Sequence, residues 1–312
     1  MRERSYTVIG TGALGAYYGA RLAHTGCRVR FLLRSDLEHV RQKGLRVESI
    51  HGDFSLVEPE VYGRASDLPQ SDVVLIGLKT TSNDALVDLL PPACARDSLV
   101  LDMQNGLGIE ADVARAVPGR TILGGLAFLC SNKMGPGHVR HLDYGRVRMG
   151  EYRADDSPAG ITDAMRRVAS DFEAAGVEVD LEADLATARW KKLVWNVPYN
   201  GLCVVHQCET DVIMGNPVTR KRAEEIMHEV LAAAAGVGHP VDPAFADEML
   251  ETTDKMAPYN PSMKLDHERG LPMEIEALYA RPLAAARAVG IDCPRIAELY
   301  DQLVKLDGTK AG

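Results

Sequence analysis

Six residues near the start of the chain, Gly10-Thr11-Gly12-Ala13-Leu14-Gly15, are spaced like a phosphate-binding turn. In such a turn Gly10 permits the tight bend, Gly12 lets the main chain approach a pyrophosphate, and Gly15 allows close packing of helix on strand. The phosphates then meet the helix N-terminus. Taken alone the pattern is only a glycine-rich turn, so its weight comes from its position after a first strand. About twenty residues on, where an NAD-binding chain carries Asp or Glu for the ribose 2′-hydroxyl, this chain reads Leu32-Leu33-Arg34-Ser35. Arg34 offers a bidentate cation for a 2′-phosphate, with Ser35 as an extra donor, which points to NADP(H). The alternative for Arg34 is a surface-loop cap, and Asp36 stands close enough to compete.

Four further sets of residues can carry chemistry. Lys79-Thr80 and Gln104-Asn105-Gly106 each follow an apolar run, at carboxyl strand ends where open α/β sheets bind ligands. Lys192, Asn196 and Asn200 recur four apart, so on a helix they share one face, although Pro198 is expected to bend that helix. Asparagine is a poor helix former, and two on one face suggest polar groups held for a ligand. Ser262 and Glu274 stand at the starts of helical stretches, where a hydroxyl cap and a carboxylate also suit the helix dipole.

The elements that must position these residues fall into two textures. Short apolar runs at 6–9, 28–33, 72–78 and 98–103 alternate with helical stretches, one after Gly15 through Ala23 and others at 37–43, 83–90 and 109–116, the signature of a doubly wound parallel sheet. Strands are expected at 121–129, 137–142 and 146–150, then a helix at 161–175. From 183 onward only helical patterns appear, at 183–206, 220–235, 244–256, 275–289 and 296–306. The predicted fold class is α/β, with a Rossmann-type dinucleotide-binding domain over 1–182 and an all-helical domain over 183–312 for substrate binding and dimerisation. A cleft is expected between them.

At 312 residues the chain suits two domains, and only the short end 308–312 resembles a tail. A net charge of −9 argues against nucleic-acid or anionic-membrane partners. The first residues lack an apolar signal core and no window suits a membrane span, so a cytoplasmic location is expected. Six scattered cysteines show no metal-ligand spacing, and even Cys203 and Cys208 read as reduced thiols. No metal is expected. Helical domains of this kind tend to offer apolar faces, and a homodimer is one assembly they allow.

Together the turn at 10–15, Arg34, Lys79, the 104–106 tripeptide, the Lys192/Asn196/Asn200 line, Ser262-Met263 and Glu274 resemble the ketopantoate reductase (2-dehydropantoate 2-reductase) family over nearly the whole chain. The resemblance implies NADPH-dependent reduction of a 2-oxo acid, ketopantoate to pantoate, in the pathway to pantothenate and coenzyme A. It implies Lys192 as catalytic acid, assisted by Glu274. Cofactor binding would fall to Gly10, Thr11, Gly12, Ala13, Leu14, Gly15, Arg34, Lys79 and Asn105. Asn105, Asn196, Asn200 and Ser262 would hold the substrate.

The match thins after Glu274. The family's Asn-Gly pair is replaced by a stretch that includes Tyr279, Arg281 and Pro282, and a later asparagine by Thr210. Tyr279 and Arg281 are expected to reshape the acyl pocket. Two other readings follow: a related enzyme for a different 2-oxo or hydroxy acid, or a non-catalytic NADP(H) sensor.

Overall fold

The computed structural model describes residues 4–308; Gly308 closes the last helix, and the rest of the tail expected at 308–312 lies outside the described residues. The chain divides into two compact units. One comprises the stretch up to Gln104 and Ile109–Leu185; the other comprises Asn105–Gly108 and everything from Ala186.

The first unit runs β1 (Ser5–Ile9), α1 (Ala13–His24), β2 (Arg28–Leu32), α2 (Leu37–Lys43), β3 (Leu45–Ser49), β4 (Phe54–Leu56), β5 (Glu60–Tyr62), β6 (Ser71–Ile76), α3 (Leu86–Ala93), β7 (Cys94–Asp102), α4 (Ile109–Ala116), β8 (Thr121–Gly135), β9 (His138–Glu151), α5 (Asp163–Ala174) and β10 (Val179–Glu182). Among the described residues these strands form one ten-stranded sheet in the order β4-β3-β9-β8-β7-β6-β1-β2-β5, with β10 on β9. Its centre is parallel: Tyr6 pairs with Val29 on one side and Val73 on the other.

The continuous apolar run in β6 has a plain cause. Val73 and Leu75 face one core cluster, with Tyr6, Val8 and Leu101, while Val74 and Ile76 face the other, with Ile9, Val100 and Ile122. Both sheet faces are covered, so alternation is absent from the sequence although it is present in space. Each such buried branched side chain contributes roughly 1.5–3 kcal/mol over exposure.

Three sequence expectations change. The two strands expected at 137–142 and 146–150 are one strand, β9, whose register shifts where Tyr144 (φ 59°) and Gly145 (φ 125°) adopt left-handed backbone. It pairs antiparallel with β8. The helix expected over 83–90 starts with a 3-10 turn, Thr80–Ala85, before α3. Strands β3, β4, β5 and β10 are too short and mixed in polarity to be anticipated.

The second unit is helical: α6 (Leu185–His206), α7 (Thr210–Gly215), α8 (Pro217–Gly236), α9 (Phe245–Asp254), α10 (Ser262–Glu268), a π-helical turn (Glu276–Ala280), α11 (Arg281–Ala288) and α12 (Pro294–Gly308). Local chemistry sets several of its boundaries. The Asn216 side chain accepts from Val218 N with Pro217 in the first turn of α8. Glu229 of α8 caps α12, accepting from the N–H groups of Arg295 and Ile296 at 2.8 Å each. Helix α6 continues through Pro198, and the hydroxyl of fully buried Tyr279 donates to Val197 O at 2.9 Å. One core cluster fills this unit, from Trp190 and Leu193 to Leu299 and Leu303. Among the described residues no helix is long and apolar enough to cross a membrane.

Gly10 and Gly12 separate stability from binding. Gly10 has φ 93°, and an added Cβ would strike the Gly77–Leu78 main chain, whereas one on Gly12 would meet no atom within 4 Å. Gly10→Ala should therefore lower the melting temperature by more than about 5 °C, while Gly12→Ala shifts it by less than about 2 °C, measured by calorimetry.

Candidate active site

In the first unit, β1 ends at Ile9, whose carbonyl accepts from Gly77 N at 2.8 Å, and the chain turns at Gly10 against the main chain that follows β6. Gly15 packs directly on the Gly10 carbonyl, so any Cβ there would push α1 off the strand. Thr11 Oγ1 donates to Leu32 O at 3.0 Å and ties the turn to the end of β2. Gly12 is the N-cap of α1, with no side-chain cap and no acidic residue in the first turn. The first helical bond belongs to Ala16, which leaves the N–H groups of Ala13, Leu14 and Gly15 without helical partners at the positive end of the dipole. That cradle suits a diphosphate: bare main chain, no competing carboxylate and no side chain in the way.

The end of β2 resolves the competition between Arg34 and Asp36. Asp36 is buried and committed: its carboxylate takes Lys133 Nζ at 2.6 Å, Gly137 N at 3.1 Å and Ser35 Oγ at 2.9 Å. Burial alone would raise its pKa, but these three donors outweigh it and hold the carboxyl below its usual value. Ser35 was expected as a donor to ligand; its hydroxyl is spent on Asp36 instead. Arg34 is exposed and makes no ion pair among the described residues, so its guanidinium is the cation on offer.

Lys79 lies half-buried between β6 and the 3-10 turn. Gln104, also at a strand end, has a structural role: its amide donates to Leu78 O at 3.1 Å and Asn83 Oδ1 at 2.7 Å.

In the second unit the line on α6 is real, but its members differ. Asn200 is engaged at both ends, donating to Asn196 O at 3.0 Å and accepting from Met263 N at 3.2 Å, which fixes the start of α10. Substrate binding was expected of Asn200; the structure gives its amide this anchoring job. The Asn196 side chain is buried yet has no hydrogen-bond partner among the described residues. Ser262 is half-buried at the first position of α10, where Pro261, not Ser262, is the N-cap. Glu274 is 2% exposed and precedes the π-turn.

Lys192 sits in the field of two buried charges. Its pKa is lowered to about 7, chiefly by desolvation and also by repulsion from Arg189, with the Glu274 carboxylate working in the opposite direction. An ordinary lysine titrates near ~10.4. The ammonium is thus poised to give up its proton near neutrality.

Two family models match the chain, ketopantoate reductase PanE/ApbA over residues 6–154 and its C-terminal counterpart over 184–307. A 2-dehydropantoate 2-reductase of Nostoc sp. is 49% identical over 308 residues, covering 99% of this chain and 97% of that protein. The chain belongs to the ketopantoate reductase family. A solved 2-dehydropantoate 2-reductase from Geobacter metallireducens superposes with a TM-score of 0.91 at 41% identity, covering 96% of this chain and 99% of its own. The fold alone is shared with a D-mandelate dehydrogenase solved with NADH and anilino(oxo)acetate, at 18% identity, a TM-score of 0.89, and coverage of 99% of this chain and 100% of its own.

Against that family pattern the departures have structural explanations. Thr210 is buried, and its N–H and Oγ1 exchange bonds with the Tyr259 main chain at 3.1 and 3.2 Å. Tyr279 is a core residue tied to Val197, and Arg281 donates to main-chain carbonyls at 107 and 108. Both side chains are thus engaged with main-chain carbonyls of the helical unit. Sequence reasoning missed Arg189, although its spacing of three from Lys192 on one helix was a readable signal.

With methyl-labelled lysines, NMR should find Lys192 titrating at about 7. Glu274→Gln should lower that value, since it removes the stabilising carboxylate, and Arg189→Met should raise it.

Proposed function

We propose that this chain reduces 2-dehydropantoate (ketopantoate) to pantoate with NADPH, the step that supplies pantoate for pantothenate and coenzyme A. As a member of its family it is an oxidoreductase of a C=O/CH–OH couple that uses a nicotinamide cofactor. The observation that carries the reading is Lys192, a lysine brought to about 7 between Arg189 and Glu274.

Gly10, Thr11, Gly12, Ala13, Leu14 and Gly15 would hold the diphosphate through main-chain N–H groups, with Lys79 and Asn105 ordering the rest of the cofactor. Arg34 would pair with the 2′-phosphate, and the commitment of Asp36 to Lys133 supports NADP(H) over NAD(H). Bound NADPH supplies the hydride that adds to C2 of the oxo acid.

As that C–H bond forms, the carbonyl electron pair moves to oxygen, and Lys192 Nζ gives its proton to the developing alkoxide. The neutral amine is reprotonated from solvent, and Glu274 keeps the ammonium form accessible. Asn196 and Ser262 offer uncommitted amide and hydroxyl groups for the polar ends of the substrate. Asn105 serves cofactor and substrate alike, and Asn200 acts by holding the main chain at Met263. Tyr279, Arg281 and Thr210 are all engaged within the protein, so none of them favours a different acid. None of the six cysteines is in a disulfide. This supports a reducing compartment, and we assign the chain to the cytoplasm.

Steady-state rates over a panel of 2-oxo acids test the substrate: ketopantoate should lead, and a tenfold advantage in kcat/KM for another acid, ~1.4 kcal/mol in the barrier, would overturn the assignment. Because the acid must be protonated, kcat/KM should be level below pH 7 and fall above it. Lys192→Ala should abolish that limb with a loss of at least about 100-fold. For the cofactor, Arg34→Ala should weaken NADPH tenfold or more, ~1.4 kcal/mol, and NADH less than about twofold.

A further inference from the structure

The π-turn over Glu276–Ala280 has a consequence for the segment 105–108, far upstream in the chain. In an α-helix the N–H of residue 281 would bond the carbonyl of 277; here Arg281 N reaches Glu276 O instead. The next residue, Pro282, has no N–H to give. Ala277 O is thereby left without a donor from its own helix, and Leu107 N takes it at 3.0 Å. Gly106, at φ 114°, packs so closely that an added Cβ would lie 2.8 Å from Ala277 O. The Arg281 side chain completes the arrangement, its Nη1 donating to Leu107 O at 3.2 Å and Gly108 O at 3.0 Å. Nη1 carries two hydrogens, one for each carbonyl.

We infer that Arg281, together with the π-turn that precedes Pro282, is a positioning residue for Asn105, fixing the 105–108 segment on the helical unit. This rests on the reading of Asn105 as a ligand-binding residue. Three hydrogen bonds and one close glycine contact hold Asn105-Gly106-Leu107-Gly108, and all four act on main chain. The Asn105 side chain is left to bind ligand, while its backbone is set by residues that touch neither substrate nor cofactor. The stretch after Glu274 that departs from the family pattern thus supplies a hold on the main chain of 105–108.

Hydrogen exchange and kinetics together test this. In Arg281→Ala the Leu107 amide should exchange at least tenfold faster, the KM for ketopantoate should rise fivefold or more, and kcat should stay within twofold with its pH limb unmoved. A merely structural role would alter melting temperature without this split. Arg281→Lys, which keeps a donor for at least one carbonyl, should recover part of both effects. Pro282→Ala restores a competing N–H and should speed exchange at Leu107 even if Arg281→Ala fails to fold. Unchanged exchange at Leu107 in the folded variants, or faster exchange with an unchanged KM, would overturn the inference. Absence of ketopantoate turnover by the wild-type chain would instead sink the proposed function. The positioning role would then be read from NADPH affinity, which Arg281→Ala must still weaken.

Discussion

An ammonium taken out of water forfeits several kcal/mol of hydration even after the protein relaxes around it. Lys192 carries that penalty in the helical unit, and its surroundings are arranged to divide it rather than cancel it. Full neutralisation by Glu274 would restore an ordinary lysine and a poor proton donor at neutral pH. Full repulsion from Arg189 would leave an amine with no proton to give. The value of about 7 is the compromise, and keeping it requires rigid neighbours. Leu193, Val194 and Val197 pack into the core around this turn of α6, and Tyr199 is buried with its hydroxyl on Met214 Sδ. The packing of the helical unit is thus also the setting of a pKa.

The Rossmann-like unit meets a different constraint, the approach of main chain to main chain. Gly10, Gly15 and Gly77 lie where β1, α1 and the end of β6 converge, and any side chain there would separate them. What remains is a helix start with unpaired N–H groups and no capping side chain. The two units therefore invest in opposite ways: one removes side chains to expose backbone, the other surrounds a single side chain to alter its proton affinity.

Much of this was legible because it is local. The glycine spacing, the buried run of β6 and the three-residue polar line on α6 each write themselves into a short window of sequence. What was not legible is the identity of partners. Nothing near Asp36 announces Lys133, so the sequence left Asp36 and Arg34 in competition. Asn200 and Asn196 look alike in the chain, and only the position of Met263 N separates an anchor from an open amide. The π-turn follows from Pro282 meeting a carbonyl that another segment needs, and that segment lies far upstream. Short strands such as β4 and β10 are held by neighbours more than by propensity.

The tie between Asp36 and the β8–β9 hairpin has a consequence in time. Asp36 takes the N–H of Gly137, 101 positions downstream. During synthesis the segment that follows β2 therefore cannot settle until that hairpin has emerged and joined the sheet, which places it among the slow, non-local events of folding. The end of β2, where Arg34 stands, is thus a late product of assembly, not a preformed local motif. Any ligand that needs this segment in place would bind only once the sheet is complete, and its binding energy would stabilise the whole unit by mass action.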